Sequence, residues 1–342
     1  LEGGRQYAQA ISIYRDLDAK RPNHPGAVEG LARCLGLMKR YAESAAAWRR
    51  LAETNADFAP AFLSAAAMYI AAGKRDEAET MWKSALASRP RDLLVLAARG
   101  QYLMTAKRFA EAAEIYRRMI SVDADSEQPY AALSEALAAD QKLVEAWMAL
   151  QSGIVRFHAS SAYLHLARRA ASASDRVAEY RQSISTAVRA GKRSFALLTA
   201  FVDANAAAGA IEATIAELQA LAAAEPQSAP ILSALARALA LSGQPEKSLD
   251  ALERAARSDP ANAELVRTYA AAAEASGNSG RAGEAYALLY SASKHDPSVA
   301  LKAAAYLSEA GAKDHALSIL RDAEARYPQR TDVKDAIRQI GG

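Results

Sequence analysis

The chain has little of what usually announces a catalytic or metal-bearing fold. Cys34 is its only cysteine, so no disulfide can form within one chain and no CxxC motif exists. It is better read as a small packed residue inside a helix than as a nucleophile. The histidines, His24, His158, His165, His295 and His315, are scattered. No HExxH, GxSxG, Walker A loop or dinucleotide fingerprint occurs, and no cofactor or catalysis is expected. Aromatic residues make up 7%, too few for one large aromatic core. No window approaches the roughly 18 uncharged apolar residues that mark a membrane-spanning helix. The opening "LEGGRQYAQAISIY" has neither a basic leader nor a hydrophobic run. Neither sign of charge dominates, with 42 Lys and Arg against 39 Asp and Glu. Nucleic acid and acidic membranes are therefore not the expected partners.

What the chain has in abundance is alanine, 86 of 342 residues. Alanine favours helix and lets helices approach closely, yet buries little apolar surface per residue. Such a composition suits many thin interfaces rather than one thick core. The order of residues agrees. "KRYAESAAAWRRLAETNA" from Lys39, "GKRDEAETMWKSALASRP" from Gly73 and "KRFAEAAEIYRRMISVDA" from Lys107 share an outline at a spacing of 34 residues. Frames of 34 starting at Pro25 run without insertion to Arg330. The twentieth residue of a frame is usually small (Ser44, Ala78, Ala112, Ala146, Thr214, Ser248), and four residues on stands a bulky one such as Trp48, Trp82 or Tyr116. Spacings of three and four place these on one helical face. The first half of a frame repeats the pattern, as in Phe62, Ala65, Ala66 and Tyr69. Gly73, Gly209, Gly243, Gly277 and Gly311 mark a turn between the halves, and Pro22, Pro90, Pro226, Pro260 and Pro328 close frames. Each unit is then an antiparallel helix pair that cannot bury its own faces and must stack.

In this pattern of small, large, small and proline at a 34-residue period, the sequence resembles the tetratricopeptide repeat (TPR) family over essentially its whole length. The resemblance implies an all-α, right-handed α-solenoid superhelix of stacked antiparallel helix pairs. The family's usual glycine at the eighth residue of a frame survives only as Gly100. We expect residues 1–24 to be the second half of a truncated repeat, as if the chain had been cut within a longer protein. Residues 25–160 then hold units 1–4, residues 161–194 a degenerate, basic unit 5, and residues 195–330 units 6–9. Residues 331–342 read as a C-terminal capping helix.

Frame 161–194 breaks the rules of its neighbours. Its eighth residue is Arg168 where a small residue belongs, and its twentieth is Tyr180. Residues 156–193 hold eight Lys and Arg against Asp175 and Glu179. A solvated basic face is one reading of that run, and a dock for an acidic peptide or anionic polymer is the other. His158 and His165, seven apart, suggest a metal pair only if one helix carries both, and a junction is expected between them. "GNSGRAG" at 277–283 reads as a loop.

In the family, the first helices of successive units line a groove that holds extended peptides or helices. Carried over, that groove presents Glu29 and Arg33, Leu63, Gln101, Glu135, His165 and Arg169, Asp203, Arg237 and Arg267. No frame has the Lys and Asn pair of the family's clamp for C-terminal carboxylates. The expected function is a non-enzymatic protein–protein interaction scaffold that binds a peptide or helix of a partner in this groove. The alternative is a periplasmic spacer of a bacterial exopolysaccharide (cellulose-type) export or envelope assembly machine, with other subunits of that complex as partners. The compartment, periplasm or cytoplasm, stays open.

Overall fold

In the computed structural model, residues 6–341 are described, and they form helices joined by short turns. The helix starts obey the repeat. After α1 (Tyr7–Lys20), the first helices of the frames are α2 (Pro25–Leu37), α4 (Ala59–Ala71), α6 (Leu93–Thr105), α8 (Gln128–Ala139), α10 (Ser161–Ala173), α12 (Phe195–Ala207), α14 (Ala229–Leu241), α16 (Ala263–Ala275) and α18 (Pro297–Glu309). The second helices are α3 (Tyr41–Thr54), α5 (Arg75–Ser88), α7 (Phe109–Val122), α9 (Leu143–Gln151), α11 (Val177–Arg189), α13 (Ile211–Ala224), α15 (Pro245–Ser258), α17 (Ser279–Ala292) and α19 (Lys313–Arg326). α20 (Thr331–Gly341) follows. Every second helix starts 34 residues after the one before it. Among the described residues, no helix is long and apolar enough to cross a membrane.

The turn within each pair shows why the period holds. Lys39, Gly73, Lys107, Gln141, Asp175, Gly209, Gly243, Gly277 and Gly311, again 34 apart, all have positive φ, between 58° and 82°. One left-handed residue lets the next N–H reach back and cap the first helix. Arg40 N–H bonds the Leu35 carbonyl, Lys74 N–H that of Tyr69, and Arg108 N–H that of Leu103, each at 2.9 Å. Only five of the nine are glycine, so a reading keyed to glycine sees only part of the series. The run "GNSGRAG" is a correction to the loop reading. Only Gly277 and Asn278 form the turn, and from Ser279 the chain is α17. Asn278 caps that helix by accepting a bond from Arg281 N–H at 3.0 Å. Gly283 lies inside α17, and α18 packs so closely on it that a Cβ there would meet Leu307 Cδ2 at 2.8 Å.

The chain divides into two compact units. One comprises residues up to 153 with 169–175, and the other residues 154–168 with those from 176 onward. In the first unit, consecutive helices from α1 to α7 pack together except that α5 touches α6 more lightly, and the core alternates bulky and small residues. Trp48, Phe62, Tyr69 and Trp82 are buried among Ala32, Ala45, Ala65, Ala66 and Ala78. The eighth and twentieth residues of a frame meet where the two helices cross. Ser44 Oγ donates to the Ala32 carbonyl at 2.7 Å, and in the second unit Ser248 Oγ donates to that of Ala236 at 2.8 Å. Such short reaches exist only because both positions are small. In the second unit α12 packs on α11 and α14, and the stacking continues through α19 to α20.

Candidate functional site

The site is built where the crossing rule fails. Ala32, Ala66, Gly100, Ser134, Val202, Ala236, Ala270 and Ala304, the eighth residues of the other frames, are all buried. Arg168 is exposed instead. Its partner position, Tyr180, fills the crossing: it is 3% exposed, and its Oη donates to the Leu164 carbonyl at 3.4 Å. Burial pushes the Tyr180 hydroxyl up to about 12, with nearby Arg168 lowering it and Asp203 raising it. A phenol in place of a methyl group turns Arg168 outward and leaves α10 and α12 incompletely filled between them.

The result is an open recess of about 450 Å³. Ser161, Leu164, His165 and Arg168 of α10 line one side, and Phe195, Ala196, Thr199 and Asp203 of α12 the other. Spacings of three and four put each set on one helical stripe. Both helices are fixed at their starts. Ser160 Oγ accepts from Tyr163 N–H at 3.2 Å, and Ser194 Oγ accepts from Leu197 N–H at 3.1 Å. Ser194 Oγ also donates to the His158 carbonyl at 2.5 Å, tying the irregular stretch before α10 to the start of α12.

The electrostatics are lopsided. Asp203 is engaged by Arg237 of α14, Nε to Oδ1 at 2.7 Å. Among the described residues, the side chains of Arg168 and His165 have no hydrogen-bond or ion-pair partner. Of the groove residues expected from sequence, His165 and Asp203 come together here, with Arg237 one helix further on. Arg169 is on α10 outside the lining, and the others are spread along separate first helices. Arg33, Gln101, Glu135, Arg169 and Arg267 are exposed, and Glu29 and Leu63 are half-buried. Arg267 pairs with Glu264 at 3.2 Å. Phe195 and Leu164 were not singled out by sequence reasoning, although the rule-breaking Arg168 and Tyr180 pointed to the frame that holds Leu164. His158 lies before α10, so it and His165 do not share a helix. Among the described residues, no three His, Cys, Asp or Glu gather as a metal centre would need.

A second polar cluster lies in the first unit. Glu79 of α5 receives the Arg99 guanidinium, Nη2 to Oε2 at 2.6 Å, and also Arg108. Arg99 sits 5.8 Å from the Trp82 ring and 5.4 Å from that of Tyr102, a cation–π arrangement. With Tyr102, Thr105 and Arg75 this cluster borders a recess of about 400 Å³. Every charge at its centre is paired, which makes it a structural staple.

Helix pairs and left-handed turns recur every 34 residues through all nine frames, and the crossing rule fails only in frame 161–194. The chain is a TPR-like helical repeat protein. The family profile of the bacterial transcriptional activator domain matches residues 169–258 of this repeat protein, from α10 to the end of α15. No curated protein sequence matches it. Among solved structures, Naa15/Naa10 bound to HypK-THB aligns with 92% of the repeat protein at 15% identity and a TM-score of 0.35. The alignment covers 65% of that chain, so the repeat protein spans less than two thirds of it. The C-terminal part of a TPR repeat-containing protein from Cytophaga hutchinsonii aligns at 16% identity over 76% of this chain and 93% of its own, with a TM-score of 0.42. A tetratricopeptide repeat protein from Parabacteroides merdae aligns at 11% identity over 73% and 92%, with a TM-score of 0.38.

Proposed function

We propose that the repeat protein is a non-enzymatic scaffold. It receives an extended peptide or a helix of a partner protein along its first helices, with α10 and α12 at the centre of the contact. The observation that carries this reading is the unfilled recess between those helices, with two unpaired polar side chains at its edge. Repeat arrays bury their interfaces with small residues, so a recess maintained by a tyrosine and an outward arginine is a departure that packing alone does not call for. Within the second unit, Arg237 and Arg267 would extend the contact along α14 and α16; in the first unit, Glu29, Arg33, Leu63, Gln101, Glu135 and Arg169 are the partner-facing candidates of their own first helices. The match to a domain of bacterial transcriptional activators over 169–258 includes α12 to α15, so a transcriptional regulator is the first class of partner to test. The exopolysaccharide-export role draws no support from these matches.

Affinity capture from native lysate tests the scaffold. The wild-type chain should retain a partner that Arg237→Glu, which sets a carboxylate against Asp203, weakens by about ten-fold or more. Arg254→Glu, on the exposed side of second helix α15, should retain it. Identical capture by wild type and Arg237→Glu would sink the assignment.

A further inference from the structure

Resting on the scaffold reading, a narrower claim concerns what enters the recess between α10 and α12. The volume of about 450 Å³ falls within the roughly 300–1,000 Å³ of pockets that hold small groups. Its apolar lining is made by Leu164 and Tyr180, which are buried, and by Phe195 and Ala196, which are half-buried. Its edge is cationic. The one carboxylate in the lining, Asp203, is occupied by Arg237 at 2.7 Å, whereas the Arg168 guanidinium has no ion-pair partner among the described residues. His165 lies three residues before Arg168 on the same stripe. An unpaired guanidinium offers a planar fork of N–H donors that matches a carboxylate.

The array shows that this arrangement is not forced by folding. Alanine serves at the equivalent position as Ala32, Ala66, Ala236, Ala270 and Ala304, each buried at a helix crossing. An arginine here is unnecessary for stacking, and it has nothing of its own to pair with.

We infer that the recess is a receptor for an acidic side chain of the partner peptide carried next to an apolar or aromatic one, with Arg168 as its anion-binding residue. The apolar neighbour rests on Phe195 and Leu164, and the carboxylate meets Arg168 at the rim.

Defined probes test this without the natural partner. Ligand-observed NMR would compare N-acetyl-Phe-Glu-amide with N-acetyl-Phe-Gln-amide, and 4-phenylbutanoate as a free acid. The Glu probe should bind wild type about five-fold or more tightly than the Gln probe, a preference that added salt weakens. Arg168→Ala should erase the preference while leaving helical content and unfolding unchanged, since alanine is the usual residue at that position. Equal binding of the two dipeptides, absence of binding by both, or a preference that survives Arg168→Ala would overturn the proposal. So would binding of 4-phenylbutanoate alone, because the site would then take a free acid. A partner captured through Arg237 but indifferent to Arg168→Ala would defeat this inference and leave the scaffold standing. A failed capture alongside the predicted probe preference would do the reverse.

Discussion

Lys39, Lys107, Gln141 and Asp175 hold a left-handed backbone that the other frames assign to glycine. A side chain in that region costs roughly 1 kcal/mol or more, against a smaller entropic penalty for glycine in the unfolded chain. Lys39→Gly should therefore stabilise the array by a few tenths to about 1 kcal/mol. Gly73→Ala should destabilise it by about 1 kcal/mol through backbone strain alone, because no heavy atom lies within 4 Å of the added Cβ. Urea unfolding of the two variants measures both signs. Gly100→Ala acts through packing instead. A Cβ there would sit 2.6 Å from the Tyr116 ring, and the buried ring has little room to move, so a loss of about 1–3 kcal/mol is expected. Partial recovery in the Gly100→Ala/Tyr116→Leu double variant would identify the clash as the cause. The turn glycines were legible in the sequence. The non-glycine turns were not, because a lysine or glutamine can be forced left-handed by the hydrogen bonds around it and nothing in its identity reports this.

At the scale of elements, the first and second helices were legible because amphipathic spacing and the 34-residue period reinforce each other nine times over. The recess between α10 and α12 was only half legible. Arg168 and Tyr180 are visible exceptions to the pattern, but the opening depends on how far a tyrosine holds two helices from close contact, which is a property of three dimensions. The Arg99, Glu79 and Arg108 cluster was not anticipated, since residues 20 and 29 apart meet only through stacking. It makes a pH prediction. Burial alone would raise the Glu79 carboxyl, but hydrogen bonds and charge from Arg99 and Arg108 outweigh it and hold the group below its usual value of 4.5. A depressed folded value means that this contribution is present above the unfolded value and is lost as pH falls through the folded one. The first unit should thus weaken below about pH 4.5. Glu79→Gln should remove that part of the acid sensitivity, and should destabilise the unit at neutral pH by about 2–3 kcal/mol by leaving Arg99 without its anion. Circular dichroism melts at pH 7 and pH 3.5 would measure both effects, and an acid response unchanged in Glu79→Gln would contradict the assignment.

For the whole molecule, the division into two compact units and the neighbour-to-neighbour packing of a repeat array imply that stability is a sum of local terms. Scanning calorimetry should show a calorimetric enthalpy larger than the van't Hoff enthalpy, and a single two-state transition would be inconsistent with this. The central claim, a partner-binding face made by first helices around the recess, is tested most directly by site-specific photocrosslinking in native lysate. Benzoylphenylalanine placed at Thr199, on the recess, is compared with the same group at Gln182 on the exposed side of second helix α11. The account predicts a defined protein adduct from position 199 and none from 182. An adduct from 182 alone, or the same adduct from both, would contradict it.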